Sequence, residues 1–315
     1  MAYMLKRKFW QTISLCAGFV IIVGLLRPPS ETVDSGVYPK EFWVRKMLAK
    51  HGYDVVLAGD SRVYRGLSPE AMQSILKNSR VFNFAFDGNG YSREYLQATE
   101  EVIDEASAHK IVVLGITPKS LTPNSAEKNG FTSLEKKGRF GMIVDLYLTR
   151  HLDFFRPYTP SYYLYLIRGH AMRRYIQEFH KDGWIASRKV PEDPEEQLRR
   201  YEGVFANNKV SDQVVAQILD FVEKWRQQGI RVFGFRPPTP EAMLEYERKE
   251  SGFDEAEFRQ IFQEAGGVWL DFEASGYHSY DGSHLREDAA RKLSVDLATI
   301  ILQYESGVTY ARDDR

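Results

Sequence analysis

Gly59-Asp60-Ser61 and Asp281-Gly282-Ser283-His284 are the two stretches whose residue types could do covalent chemistry. A serine hydroxyl becomes a nucleophile when an imidazole takes its proton and a carboxylate orients that imidazole. Asp281 and His284 stand three residues apart, a spacing that puts both side chains on one side of a helix start. Asp281 can then accept the Nδ1–H of His284 and leave Nε2 free for the Ser61 proton. Each stretch alone also has a plainer reading. Gly-Asp-Ser could be an ordinary strand-to-helix loop capped by Asp60 or Ser61, and Asp-x-x-His could be a cap beside a surface histidine. It is the combination that points to acyl chemistry.

The elements around these stretches must bring them together. Val55-Val56-Leu57-Ala58 is apolar without alternation and reads as a buried parallel strand. Gly59 allows a sharp turn at its carboxyl end, the edge where open α/β sheets bind ligands. Ser68-Pro69-Glu70 is a helix start, with a serine N-cap, proline at the first position and an acid in the first turn. Val81–Phe86 predicts a second strand ending in Asp87-Gly88-Asn89-Gly90, and Arg93–Ala108 a helix. Ile111–Ile116 predicts a third strand. After the middle of the chain the alternation resumes: a helix over Ser211–Gln228, a strand over Ile230–Phe235, a helix over Asp254–Ala265, a short strand over Gly267–Leu270 and a last helix over Arg286–Gln303. Alternating strands and helices mean a parallel sheet with crossover helices.

Residues from about 139 to 208 show no strand pattern and are expected to form a helical insertion, rich in aromatics and arginines such as Tyr147, Phe154, Tyr162, Arg168 and Arg173. Those aromatics either pack on the sheet domain or form a lid, a glycan-facing wall or a partner surface. At the N-terminus, Lys6-Arg7-Lys8 precedes Phe9–Leu26, an uncharged run worth about 27 Å of helix. It reads as an uncleaved signal anchor, a transmembrane helix with the rest of the chain outside the cytoplasm. The expected division is therefore a cytoplasmic tip and anchor over 1–27, a tether and lead-in helix over 28–50, and a main domain over 51–315.

The 315 residues carry a net charge of −1, which gives no basic excess for nucleic acid. Cys16 is the single cysteine, so no intrachain disulfide can form. His151, His170, His180 and His278 are scattered and make no metal-ligand cluster, and no cofactor is expected.

With these residues in place, the chain resembles the SGNH (GDSL-like) hydrolase and acyltransferase superfamily. The likeness rests on Gly59-Asp60-Ser61 after the first strand, Asn83-Phe84-Ala85-Phe86-Asp87-Gly88 in and after the second, and Asp281-Gly282-Ser283-His284 before the last helix. It implies a three-layer sandwich with a parallel central sheet. It implies Ser61 as nucleophile, His284 as base, Asp281 as orienting acid, and the amides of Ser61 and Gly88 as oxyanion donors. Thr117 stands where the family has an asparagine donor; either its hydroxyl substitutes or that donor is absent. Arg62, Asn83, Asn89 and Arg236 are the candidate substrate-binding residues. Arg62 and Arg236 could hold a carboxylate or phosphate on a polymer, or form structural ion pairs.

Membrane-tethered branches of the superfamily, such as the alginate O-acetylation proteins and the D-alanine transfer protein, look similar. The expected function is transfer of an acyl group, acetyl above all, onto a cell-surface or secreted polysaccharide, with a multi-pass membrane O-acyltransferase as partner. A carbohydrate esterase and an inactive glycan-binding scaffold are the alternatives.

Overall fold

The alternating side chains of the Val55–Ala58 run explain the layers. The computed structural model describes residues 2–25, 37–152 and 174–306. Val56 and Ala58 face one core with Phe82, Val112, Leu114 and Trp225. Val55 and Leu57 face the other with Val113, Phe233, Leu293 and Leu297. A strand apolar on both faces must be covered on both, which fixes a helix–sheet–helix sandwich.

The strands of the central sheet are β1 (Val55–Ala58), β2 (Val81–Asn83), β3 (Ile111–Gly115), β6 (Arg231–Phe235) and β7 (Val268–Leu270). All are parallel, in the order β2-β1-β3-β6-β7. The helices in chain order are α1 (Ala2–Leu25), α2 (Pro39–Met47), α3 (Ser61–Gly66), α4 (Pro69–Gln73), α5 (Arg93–Val102), α6 (Pro123–Glu127), α7 (Gly130–Tyr147) and α8 (Thr149–Leu152). They continue with α9 (Glu196–Tyr201), α10 (Asp212–Gln227), α11 (Glu241–Glu250), α12 (Glu255–Glu264) and α13 (Glu287–Glu305). Helices α5, α10 and α12 supply one face through Leu96, Ile218, Phe221 and Phe262. Helices α3, α4 and α13 supply the other through Val63, Met72 and Leu293. The chain leaves β1 toward β2 and then returns to β3 on its other side. The carboxyl ends of β1 and β3 therefore flank the switch point where such sheets bind ligands.

Several expectations shift. Only Val81–Asn83 of the second apolar run is regular strand, yet the backbone still follows β1: Phe84 N–H donates to Leu57 O (2.8 Å) and Phe86 N–H to Gly59 O (3.1 Å). That continuation carries Asp87 and Gly88 to the end of β1. Helix α5 stops at Val102, short of Ala108.

The insertion at 139–208 is not wholly helical. It contains β4 (Arg174–Phe179) and β5 (Ile185–Val190), an antiparallel hairpin in which Phe179 pairs with Ile185. Its turn holds Asp182-Gly183, a hairpin signal that the surrounding charge obscured. Phe179, Trp184 and Ile185 are buried in the second core, so the hairpin is welded to the sandwich. Residues 153–173, with Phe154, Tyr162, Arg168, His170 and Arg173, lie outside the described residues.

A helix does form at the N-terminus, but it gives no support to the expected transmembrane span. Among the described residues no helix is long and apolar enough to cross a membrane. The 24 residues of α1 include Lys6-Arg7-Lys8, and Gln11, Thr12 and Ser14 interrupt its apolar run. Residues 26–36, the core of the expected tether, lie outside the described residues.

Candidate active site

Gly59 sets the turn that delivers Ser61. A Cβ there would stand 2.5 Å from Val63 Cγ2 and 3.1 Å from Gly115 O, so only glycine lets β1 and β3 close around Val63. Two tyrosines of the α5 region pin the strand ends. Tyr95 accepts Gly59 N–H (2.9 Å) and donates to Phe84 O (3.1 Å), and Tyr91 donates to Gly115 O (2.9 Å). Asp60 then caps α3, accepting Arg62 N–H at 2.9 Å, and Ser61 opens the helix.

From the other side, the loop before α13 brings Asp281 and His284. Ser61 O–H lies 2.9 Å from His284 Nε2, and His284 Nδ1 lies 2.9 Å from Asp281 Oδ2. The Ser61 hydroxyl donates to Nε2 while Nδ1–H donates to the carboxylate, the arrangement a serine nucleophile requires. Asp281 Oδ1 also accepts the amides of Ser283 (3.2 Å) and His284 (2.9 Å). Ser61 and the Asp281–His284 pair, with Ser61 and His284 223 positions apart in the numbering, are brought together as the sequence suggested.

The charges are set by burial. Burial lowers the His284 pKa to about 4; the Arg65 and Arg62 cations push the same way against the Asp281 carboxylate. Burial by itself would raise Asp281, but the charge and hydrogen bonds of His284, with Lys189 behind them, hold it well below the usual carboxylate range. The imidazole is thus neutral at neutral pH, with Nε2 open to a proton, and the carboxylate is ionised.

The amides of Ser61 and Gly88 have no hydrogen-bond acceptor among the described residues. Gly88 has φ +58°, and a Cβ there would meet nothing within 4 Å. These two N–H groups are thus unspent among the described residues, as oxyanion donors would have to be.

Thr117 is corrected. It is wholly buried, its hydroxyl donates to Asp60 Oδ2 (2.8 Å), and its oxygen accepts Ser120 N–H (3.1 Å). It ties β3 to the Ser61 turn and has no proton left for an oxyanion. Burial also raises the Asp60 carboxyl, against the pull of Arg62 and of this hydroxyl.

Of the four candidate binding residues, Arg62, Arg236 and Asn83 are taken up by partners within the protein. Arg62 is buried, forks onto Glu247 through both terminal nitrogens (3.2 and 2.7 Å) and donates Nε–H to Ser283 Oγ (2.9 Å). It fastens the His284 loop to the helix that begins with Ser61. Arg236 shares Glu247 (3.0 Å) and pairs with Glu255. Asn83 is wholly buried and donates to Val63 O and Leu67 O, both at 2.9 Å, fixing the end of α3. Asn89 is 1% exposed beside Tyr95, and its Oδ1 has no hydrogen-bond partner among the described residues.

The insertion supplied what the sequence reading missed. Gln197 Nε2 donates to Asp281 Oδ2 (3.3 Å), Lys189 Nζ approaches the same oxygen (3.5 Å), and Gln197 N–H donates to Asp281 O (2.9 Å). Tyr280, stacked on His284 with ring centroids 6.1 Å apart, shares a hydrogen bond with Ser187 of β5 (3.0 Å). Among the described residues no cluster of His, Cys, Asp and Glu could hold a metal ion. No protein-family model and no curated protein matches the chain.

Proposed function

We propose that this protein transfers an acyl group, acetyl above all, onto a polysaccharide through a seryl ester on Ser61. The observation that carries the reading is the hydrogen-bonded chain Ser61–His284–Asp281 beside two acceptorless amides. Ser61 Oγ attacks the donor's carbonyl carbon while His284 Nε2 takes the hydroxyl proton. The Ser61 and Gly88 amides hold the resulting oxyanion. Collapse expels the donor's leaving group, which takes the proton from Nε2, and leaves the acyl-enzyme. A sugar hydroxyl then gives its proton to Nε2, attacks the ester, and Ser61 recovers its proton as the acylated sugar departs.

A missing oxyanion donor slows transfer and hydrolysis alike, and a held acceptor is what separates them. The Thr117 hydroxyl is committed to Asp60, so the site has one oxyanion donor fewer than the family pattern, and a lost donor typically costs roughly 10²–10³ in rate. A held sugar hydroxyl can still outcompete water, because effective molarities reach about 10⁵ M. The resemblance adds a multi-pass membrane O-acyltransferase as the donor's source. Exposed Phe9, Trp10, Leu15, Phe19 and Leu25 on α1, after a basic cluster, support attachment to a membrane with the main domain outside the cytoplasm.

The test is a fluorophosphonate serine probe with acetyl transfer followed by mass spectrometry. Wild type should take the probe and acetylate an oligosaccharide faster than it hydrolyses nitrophenyl acetate; Ser61→Ala should do neither. Rapid deacetylation with no acceptor gaining mass would replace transferase by esterase. An unlabelled wild type would leave only a binding scaffold.

A further inference from the structure

Among the described residues, Arg65 is an arginine of this site with no carboxylate at ion-pair distance, the carboxylate charge acting on it being that of Asp87. It stands one helical turn after Ser61 on α3, so both side chains rise from the same helix face. Buried guanidinium groups in proteins are ordinarily paired, as Arg62 and Arg236 are with Glu247. Among the described residues no carboxylate lies within ion-pair distance of Arg65, and its Nε–H has no acceptor. What it has are aromatic faces: the ring of Tyr64 at 5.0 Å and that of Tyr175 at 5.5 Å from the guanidinium carbon.

This guanidinium lines a cavity of about 480 Å³, within the roughly 300–1,000 Å³ usual for small-ligand pockets. Trp43, Tyr64, Tyr175 and Phe179 form apolar walls, and Asp87, next to the oxyanion residue Gly88, lies on its rim. Asp87 accepts the Tyr64 hydroxyl (3.2 Å). The cavity's Lys137 is taken by Asp145. Tyr175 leads back to the site, 6.4 Å from Tyr280, which stacks on His284. The cavity thus joins an unpaired planar fork and aromatic walls to the nucleophile's helix. Aromatic walls suit sugar faces, and a guanidinium fork suits an oxyanion bidentately.

We propose that Arg65 binds a carboxylate or phosphate group on the glycan, seating an acidic sugar beside Ser61. The glycan part rests on the function proposed above; the anion site itself does not. Binding is read by calorimetry with tetragalacturonate, a phosphorylated mannan oligosaccharide and neutral maltotetraose. Wild type and Ser61→Ala should bind one acidic oligosaccharide alike, with the neutral one roughly tenfold weaker or worse; the tighter acidic ligand identifies the group as carboxylate or phosphate. Arg65→Gln should lose about tenfold or more, the scale of a charge-assisted bidentate contact. Arg65→Lys keeps the charge without the fork and should lose roughly threefold, which decides the matter if Arg65→Gln does not fold. Equal binding by either variant, equal affinity for acidic and neutral ligands, or no binding by wild type would overturn the proposal. If binding survives while Ser61 takes no serine probe, the acyl-transfer reading fails and the anion site stands.

Discussion

His284 sits between opposing fields: the Asp281 carboxylate on its Nδ1 side, and the Arg65 and Arg62 cations that oppose its protonation. Burial adds to the cations, and the imidazole's pKa falls from 6.5 to about 4. Only the neutral ring can take the Ser61 proton, so activity should fall as pH drops through about 4, not through the ordinary histidine range. Because the folded value lies below the unfolded one, the stability linked to this group is present above pH 6.5 and lost as pH falls toward about 4. Arg65→Gln removes a positive neighbour and should move the acid limb of nitrophenyl acetate hydrolysis to higher pH. A limb that stays in place in that variant, or one near 6.5 in wild type, would contradict this electrostatic picture.

At the scale of elements, the Asp281 carboxylate is steadied from outside its own loop. Strand β5 contributes Lys189 and helix α9 contributes Gln197, both aimed at Asp281 Oδ2. A hairpin packed through Trp184 and Ile185 is rigid enough to hold such contacts. Gln197→Ala or Lys189→Ala should lower kcat by roughly tenfold, on the scale of one hydrogen bond to a charged group, and leave KM nearly unchanged. These are positioning residues, since neither touches the nucleophile. A raised KM with kcat intact would instead make this part of the insertion a substrate wall.

Across the whole molecule, one end of the sandwich carries the candidate site, and the N-terminal helix carries apolar side chains that no core of the described residues covers. Phe9 is 61% exposed and Leu25 72% exposed, an arrangement that calls for an apolar surrounding. If α1 attaches the domain to a membrane from outside the cytoplasm, protease added to intact spheroplasts should digest the main domain and spare the first residues. Full protection until lysis, or recovery of the whole chain in the aqueous fraction, would sink that placement.

The sequence by itself determined the local pieces: the apolar run ending in Gly59-Asp60-Ser61, the Asp281–His284 spacing, and the strand–helix alternation that makes a parallel sheet. Each depends on periodicity or turn chemistry within a few residues. The hairpin inside the insertion was almost as local, and its Asp182-Gly183 turn could have been read. Tertiary structure alone decided the roles of the polar residues around the triad. Arg62 and Glu247 are 185 residues apart, Thr117 and Asp60 57, and Gln197 and Asp281 84. Whether a buried guanidinium or hydroxyl is spent on the protein or free for a substrate depends on which distant partner folding brings within about 3 Å. No local pattern distinguishes Arg62, which found a carboxylate, from Arg65, which among the described residues has none at ion-pair distance.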